Sequence, residues 1–380
     1  MQVDIQEPTA ARAVPRAHAP PAGPVTIFLP TLRGGGTERV MVTLANQLAR
    51  RSVELELLLL SGEGVFFDEL DPDVAVHLLD VRPSYSSVLG IRGYWRYLRR
   101  SKPRLVVISG HSAFLVGFLV SLWVPHKIIV VVHNTVSRER RLSSLIAKFL
   151  YRFAHRIVAV SHGVAKDLSA YSCIELERIQ VIYNAVDLTR IDRALQAPPA
   201  HPWLEDPAVP VVVSVGRLIP QKRVDLLLRA IARVRAKRPV RLIQLGDGPL
   251  RHELEALAQE LGIAEDVCFA GFVKNPYAYL RDASVFALAS DFEGFAVVVI
   301  EALACGCPVV STSCPSGPDE ILEGGRWGTL VPTGDVEALA SALDQTLTAP
   351  PPRRHARGRA EDFSAEGYAR RYLELIDAHR

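Results

Sequence analysis

The chain has 380 residues, of which 49% are apolar and 22% charged, with a formal net charge of +3. This balance is ordinary for a globular protein with a sizeable core, and at about 150 residues per domain the length predicts two or three domains. Five cysteines, few and odd in number, argue against a disulfide framework and favour a reducing compartment.

Residues 1–24 are rich in Pro and Ala and lack the apolar core of a signal peptide, so we interpret them as a disordered tail. Short apolar runs then alternate with helical patterns, which is typical of strands buried on both faces of a parallel sheet. We therefore predict a first Rossmann-like domain over residues 25–195. Its strands are expected within 25–30, 53–60, 104–109, 127–133, 156–161 and 179–184.

The segment 105–126 contains no Asp, Glu, Lys or Arg, which makes it a candidate for a membrane-spanning helix. A polar stretch at 109–112 interrupts its apolar residues, and Pro125 ends it. We interpret it as the end of one strand, a helix at 112–124 and the approach to the strand at 127–133.

Basic residues are concentrated in the window 92–166, which contains 14 Lys and Arg and one acid, Glu139. Trp, Tyr, Phe and Leu side chains lie between them, a pattern that favours anionic surfaces. A solvated helix face is the alternative. No nucleic-acid-binding module is recognisable, so we expect an anionic membrane as the partner and no nucleic acid. The residues expected to meet it are Arg99, Arg100, Arg140 and Arg141.

A Pro-rich segment at 195–209 separates this pattern from a second cycle of apolar runs. These runs predict a second Rossmann-like domain over residues 196–350. Its strands are expected within 211–216, 240–246, 266–272, 283–290, 307–312 and 328–332. A break rich in Pro and Arg then precedes a last helix in the segment 351–380.

Ligands of doubly wound sheets bind at the carboxyl ends of the strands, where two motifs of the first domain are found. The sequence RGGGTERV follows the first strand, and its glycines allow close backbone approach to a ligand while the next helix offers amide donors to an anion. A plain tight turn is the alternative. His133 follows the strand at 127–132 as a candidate base or phosphate donor, or as a structural histidine.

Three cations, Arg217, Lys222 and Arg223, lie at or just before the start of a helix that follows the run at 211–216. The helix dipole disfavours cations at this end, so we predict that a bound anion such as a diphosphate compensates them. A solvated cluster is the alternative.

The stretch from Glu293 to Asp319 contains one charged residue between its ends, Glu301, in an apolar helix predicted to begin near Gly294 and to end before Gly306. An apolar helix is a buried helix, and a buried carboxylate needs a partner. Eight helical residues separate the two glutamates by about 12 Å, which places them to contact separate parts of one elongated ligand. Sugar hydroxyls would satisfy both, and a buried salt bridge from Glu301 to Arg or Lys is the alternative.

Three cysteines, Cys305, Cys307 and Cys314, lie close together in the sequence. They lack CxxC spacing and a neighbouring histidine. We interpret them as small buried apolar residues and predict no metal site.

The segment EGFAVVVIE at 293–301 resembles the E-x7-E motif of the retaining family-4 glycosyltransferases, which have the GT-B fold. Other segments resemble parts of that family in the same order along the chain. They are RGGGTERVMVTLANQLARR, IVAVSHGVAKDL, VIYNAVDL, VSVGRLIPQKRVDLLLRAI, LGDGPLRHELEALAQELGI, VCFAGFV and FSAEGYARRYLELI. The resemblance implies an α/β protein of GT-B fold, with two Rossmann-like domains facing a central cleft and a C-terminal helix crossing back onto the first domain.

The resemblance also implies a donor site for a nucleotide diphosphate sugar. Arg217 and Lys222 would hold the diphosphate, and Gly35 and Gly36 would lie near it across the cleft. Glu301 would bind the ribose hydroxyls. No metal ion or other cofactor is expected, because the cations and a helix dipole stabilise the leaving diphosphate.

The transferred sugar would meet Glu293 and the backbone of Gly294 and Phe295. His133 would lie on the acceptor side and hydrogen-bond the donor sugar or an acceptor phosphate. The segment CPSGPDEI resembles a sub-pattern of bacterial members that use UDP-sugars for surface polysaccharides and lipid-linked oligosaccharides.

These likenesses predict a retaining glycosyltransferase that moves a hexose or N-acetylhexosamine from a UDP-linked donor to a lipid-linked or polysaccharide acceptor. With the basic window, they predict a cytoplasmic protein associated peripherally with the inner face of the plasma membrane. A nucleotide-sugar epimerase on the same fold and a non-catalytic binding protein are the alternatives.

Overall fold

The computed structural model describes residues 23–79, 81, 86–135, 137, 149–206 and 208–378. Arg140, Arg141 and the predicted tail up to residue 22 lie outside the described residues. The described strands form two separate parallel sheets, which define a first and a second domain. Their strands fall within the predicted ranges 25–195 and 196–350, while the domain boundaries themselves stay predictions.

The sheet of the first domain has seven parallel strands in the order β3-β2-β1-β4-β5-β6-β7. They are β1 Val25–Leu29, β2 Leu55–Leu59, β3 Ala75–Leu78, β4 Leu105–Ser109, β5 Ile128–Val132, β6 Arg156–Ala159 and β7 Ile179–Val181. Six of them were predicted. Strand β3 was missed because it lies at the sheet edge with mostly exposed side chains, and so has no buried apolar run.

The helices of the first domain follow its strands. They are Gly36–Ala49, Ser86–Ser101, His111–Ser121, His162–Ser172 and Leu188–Ala194. The candidate membrane segment is therefore β4, a helix and the approach to β5, as predicted. Within the described part of the chain, none of the helices combines the length and the apolar character needed to cross a bilayer.

The sheet of the second domain has six parallel strands in the order β10-β9-β8-β11-β12-β13. They are β8 Val211–Val215, β9 Arg241–Leu245, β10 Val267–Gly271, β11 Val285–Leu288, β12 Val309–Thr312 and β13 Thr329–Val331, and all six were predicted. In both sheets the strand order reverses beside the first strand of the domain. In doubly wound folds this switch point is where ligands bind.

The helices of the second domain also follow its strands. They are Val224–Arg235, Arg251–Glu260, Tyr277–Asp282, Val297–Ala304, Pro318–Leu322 and Val336–Thr348. A final pair, Arg353–Glu361 and Ala365–Asp377, ends the chain.

The last helix returns to the first domain and packs against helix Gly36–Ala49. Backbone hydrogen bonds fix the point of return, because Val186 N–H donates to Phe363 O at 3.0 Å and Ala365 N–H donates to Val186 O at 3.1 Å. The predicted crossing is confirmed.

Candidate active site

The loops that follow the strands of the two domains meet face to face. Ser161 Oγ, after β6, donates a hydrogen bond to the backbone oxygen of Gly294, after β11, at 2.8 Å. The carboxylate of Glu320 in the second domain accepts hydrogen bonds from the amides of His162 and Gly163 at 2.9 and 2.8 Å. The cleft between the domains is therefore closed at this point by direct contacts.

The glycine loop after β1 lies on the first-domain side of this cleft. Gly34 adopts the left-handed region, with φ +119°, and a Cβ atom there would be 3.5 Å from the ring of Phe272 in the second domain. Gly35 is the N-cap of helix Gly36–Ala49. The start of this helix therefore faces the second domain, and close approach of its glycines to a ligand stays a prediction.

Gly294 lies directly against the end of β5. A Cβ atom at this position would be 1.8 Å from the backbone oxygen of His133, so a side chain here would force the domains apart. The neighbouring Phe295 is buried, and its ring stacks on Tyr183 of the first domain with centroids 5.0 Å apart. Both predicted residues thus belong to the contact between the domains.

His133 is the first-domain residue whose backbone lies beside Gly294. Both of its ring nitrogens are buried and have no hydrogen-bond partner among the described residues. Burial lowers the pKa of His133 to about 4, so the ring is neutral at pH 7. A neutral imidazole has one donor and one acceptor nitrogen, which suits a hydroxyl or phosphate ligand.

Glu293 lies in a loop rather than in a helix. The helix begins at Val297, later than predicted, because Ala296 adopts a left-handed conformation with φ 56° and breaks the helical path. Oε1 of Glu293 accepts hydrogen bonds from Lys222 Nζ at 2.5 Å and from Ser290 Oγ at 2.6 Å. This pairing offsets the cost of a carboxylate that is only 6% exposed.

The three predicted cations after β8 have different surroundings. Lys222 ends a short 3-10 helix and pairs with Glu293, and helix Val224–Arg235 follows as predicted. Arg223 pairs with Asp225 and Asp291, each at 3.1 Å. Arg217 is exposed, and no ion pair joins it to any described residue. Acids of the second domain therefore pair with both Lys222 and Arg223, and Arg217 is the predicted cation that no described acid neutralises. Lys222, beside Glu293, stays a predicted diphosphate ligand together with Arg217.

Glu301 is paired with a cation of the opposite domain. Its Oε1 accepts hydrogen bonds from Arg39 Nη1 at 3.2 Å and from the Tyr277 hydroxyl at 3.0 Å. This is the buried salt bridge that the sequence left open as the alternative. Burial alone would lower the pKa of Arg39, but the Glu301 carboxylate, together with Tyr277 and Glu69, raises it above its ordinary value.

Arg39 and Tyr277 were not predicted as site residues. The sequence does contain a signal for Arg39, because this cation lies on a helix beside Val40 and Met41, both of which are buried. A cation on a buried helix needs a buried anion, and Glu301 needed a buried cation. No comparable signal marks Tyr277, because a tyrosine in a helix is ordinarily a core residue.

A cavity of about 470 Å³ lies between the domains beside this pair. Arg39, Tyr277, Val297 and Glu301 line one side, and both polar and apolar residues of the first domain line the rest. Its volume is within the range of small-molecule sites.

The three clustered cysteines are buried, as predicted. Burial raises the pKa of Cys307 to about 12, so this thiol stays protonated at neutral pH. No group of three or more His, Cys, Asp or Glu side chains in the described segments is arranged to hold a metal ion.

Arg99 and Arg100 are exposed on helix Ser86–Ser101, and the Arg99 guanidinium lies 5.1 Å from the centre of the Trp95 ring. More apolar side chains are exposed nearby in the sequence, after helix His111–Ser121. They are Leu122, Trp123, Phe149 and Phe153, all of which follow Ser121, the last residue of this helix. The described part of the basic window thus presents arginine and aromatic side chains to solvent.

Two families match this chain. Glycosyltransferase Family 4 matches residues 34–190, and Glycosyl transferases group 1 matches residues 209–349. The chain is 32% identical over 372 residues to an enzyme of Campylobacter jejuni, covering 92% of this chain and 98% of that one. That enzyme is N-acetylgalactosamine-N,N'-diacetylbacillosaminyl-diphospho-undecaprenol 4-alpha-N-acetylgalactosaminyltransferase. The chain belongs to the family-4 glycosyltransferases.

Two further likenesses support the assignment of family and fold. This glycosyltransferase is 29% identical over 354 residues to the lipopolysaccharide core biosynthesis glycosyltransferase LpsE of Rhizobium meliloti, covering 90% of this chain and 96% of LpsE. The crystal structure of Anabaena HepE in complex with UDP and glucose matches with a TM-score of 0.80 at 21% identity, covering 93% of this chain and 99% of HepE. The predicted GT-B fold is confirmed.

Proposed function

We propose that this glycosyltransferase moves a hexose or N-acetylhexosamine from a UDP-linked donor to a lipid-linked or polysaccharide acceptor, with retention of configuration. The observation that carries the proposal is the Lys222–Glu293 pair, which lies beside Gly294 where the two domains touch. The C. jejuni relative is named for a transfer to a lipid diphosphate, and the HepE structure contains UDP and glucose.

The donor diphosphate binds Arg217, Lys222 and the N-terminus of helix Val297–Ala304, across the cleft from Gly35 and Gly36. Cationic side chains and helix amides stabilise the charge that develops on a leaving diphosphate. For this reason we propose that the reaction needs no metal ion. The ribose binds Glu301, and the adjoining cavity accommodates the nucleoside.

The transferred sugar lies against Glu293 and the backbone of Gly294 and Phe295, with neutral His133 facing it from the first domain. The acceptor hydroxyl forms its bond to the anomeric carbon on the face from which the phosphate departs. The bond between the anomeric carbon and the phosphate oxygen breaks, and the hydroxyl proton passes to that oxygen. The first-domain residues nearest to a Cβ at position 294 are His133 and Asn134, neither of which is a carboxylate nucleophile.

The enzyme works on the inner face of the plasma membrane, where it meets its lipid-linked or polysaccharide acceptor. Exposed arginines beside exposed aromatic rings suit the boundary between lipid head groups and acyl chains. Arg99 with Trp95 forms such a pair on the first domain, and the partly buried Arg152 lies 3.8 Å from the centre of the exposed Phe149 ring.

The donor is tested by thermal unfolding with UDP- and GDP-sugars. A ligand that binds only the folded state raises the melting temperature, so we expect protection by UDP-sugars and little by GDP-sugars. Incubation with the protecting sugar, with and without a lipid-linked acceptor, then tests the reaction. Product that forms only with acceptor, in the donor's anomeric configuration, supports the proposal. Turnover of the sugar nucleotide alone would instead identify an epimerase.

The membrane partner is tested by sedimentation with vesicles that contain phosphatidylglycerol. The double variant Arg99→Gln, Arg100→Gln should bind these vesicles more weakly, because each arginine near an anionic surface contributes about 1 kcal/mol. The control is Lys237→Gln, Arg238→Gln, which removes one exposed and one partly exposed cation of the second domain. Unchanged sedimentation of the Arg99 and Arg100 variant would contradict the membrane proposal.

A further inference from the structure

We propose that Arg39 is a positioning residue for the donor, and that the two domains together hold Glu301 in the orientation that binds the ribose. The inference rests on the proposed role of Glu301 in ribose binding. It assigns to the first domain a part in nucleotide recognition through Arg39.

Both hydrogen bonds at the Glu301 carboxylate reach the same oxygen. Arg39 Nη1 and the Tyr277 hydroxyl both donate to Oε1, at 3.2 and 3.0 Å. Oε2 receives no hydrogen bond from the described residues, and Glu301 lines the cavity between the domains. The two donors therefore fix the carboxylate by one oxygen and leave the other to accept hydrogen bonds from ligand hydroxyls.

Arg39 is itself held in place. Its guanidinium lies 5.1 Å from the centre of the Phe66 ring, and Nη1 also donates to the Tyr277 hydroxyl at 3.0 Å. The side chain is only 15% exposed, so it has little freedom to leave the carboxylate. A fixed guanidinium orients a carboxylate more strictly than a mobile lysine does.

Arg39 is also the cation that pairs with the Glu301 carboxylate. Among the described residues, Arg39 is the cation within 4.0 Å of this carboxylate, whose side chain is 8% exposed. Removing one partner of a buried ion pair leaves the other charge uncompensated. Tyr277 contributes a hydrogen bond but no positive charge, so it cannot replace Arg39.

The consequence is that ribose binding depends on how the domains are placed. Arg39 belongs to helix Gly36–Ala49, whose first residues face the second domain across the cleft. A donor that needs an oriented Glu301 therefore binds best when that helix is close. Donor binding and approach of the domains stabilise each other.

The test compares binding of UDP with binding of 2′,3′-dideoxyuridine diphosphate, which lacks both ribose hydroxyls. The wild type should prefer UDP by about tenfold, the effect expected when the ribose hydroxyls hydrogen-bond to a charged carboxylate. Arg39→Met and Glu301→Gln should both lose most of this preference. Arg39→Lys should keep part of it. Arg51→Met, which changes an arginine after the C-terminal end of the same helix and outside the cavity, should keep all of it.

The donor KM and the acceptor KM give a second readout. A purely structural role of Arg39 would not change one of them and leave the other. Arg39→Met should raise the donor KM about tenfold and leave the acceptor KM within twofold. If Arg39→Met does not fold, Tyr277→Phe, which removes one donor to the same oxygen, should shift both readouts in the same direction by a smaller factor.

Full ribose preference in Glu301→Gln would refute the proposed ribose site itself. The inference about Arg39 alone would be overturned if Glu301→Gln lost the preference for UDP while Arg39→Met kept both this preference and its donor KM.

Discussion

The two glutamates of the 293–301 stretch are buried to the same extent, at 6% exposure, yet their charges are balanced in different ways. Glu293 pairs with Lys222 at 2.5 Å, within the second domain. Glu301 pairs with Arg39 at 3.2 Å, across the cleft. One end of the candidate site is therefore complete within a single domain, whereas the other end exists only while both domains are in contact.

Removing Lys222, the cation that pairs with Glu293 within the second domain, should have the largest effect on turnover. Lys222→Ala takes away the proposed diphosphate contact and leaves Glu293 buried without its cation. One contact to a charged group contributes about 1.5–3 kcal/mol, so turnover should fall by roughly 10- to 100-fold. Initial rates with a verified donor and acceptor measure this. Lys237→Ala, an exposed lysine paired with Asp344, is the matched control, and a wild-type rate in Lys222→Ala would remove the donor-site assignment.

Changing the distance between the domains should disturb the pairing of Glu301 and leave the pairing of Glu293 unchanged. Gly294→Ala places a Cβ atom against the backbone of His133, where it would be 1.8 Å from the oxygen. The domains must move apart, which disturbs the Arg39–Glu301 pair and leaves Lys222–Glu293 intact. We expect turnover to fall by about tenfold, the effect of about 1.4 kcal/mol.

Affinity for UDP should fall in the same variant, and affinity for inorganic diphosphate should not; calorimetry measures both. Gly358→Ala serves as the control, because a Cβ atom there meets nothing within 4 Å. Equal losses for UDP and diphosphate would show that the two ends of the site do not differ in the way described.

The fold was predictable because buried parallel strands are continuous apolar runs. All six strands of the second sheet were identified in this way, and the edge strand β3 was not, since exposure on its faces removes the pattern. The start of helix Val297–Ala304 was also misplaced. Local sequence does not encode the left-handed turn at Ala296, which is set by the packing of Gly294 and Phe295 on the first domain.

The candidate site was predictable where its residues follow strands, since the topology brings those ends together. Glu293, Lys222 and Gly294 meet for that reason. The pairing of Arg39 with Glu301 joins residues 262 positions apart in different domains. No local pattern specifies which buried cation meets which buried anion, so this contact was left as an alternative without a named partner.

His133 adds a titratable group to this contact, because its two ring nitrogens are buried and have no hydrogen-bond partner among the described residues. Burial lowers its pKa to about 4, against an ordinary value of about 6.5. Between these values the unfolded chain binds a proton that the folded chain does not, so stability should fall as the pH falls from 6.5 to 4, by up to about 3 kcal/mol.

His133→Gln keeps a polar side chain that does not titrate, and should make the loss of stability with falling pH shallower. Urea unfolding at pH 7, 6 and 5 measures the slope, with the exposed His252→Gln as control. Equal slopes in wild type and His133→Gln would mean that His133 keeps its ordinary pKa in the folded protein.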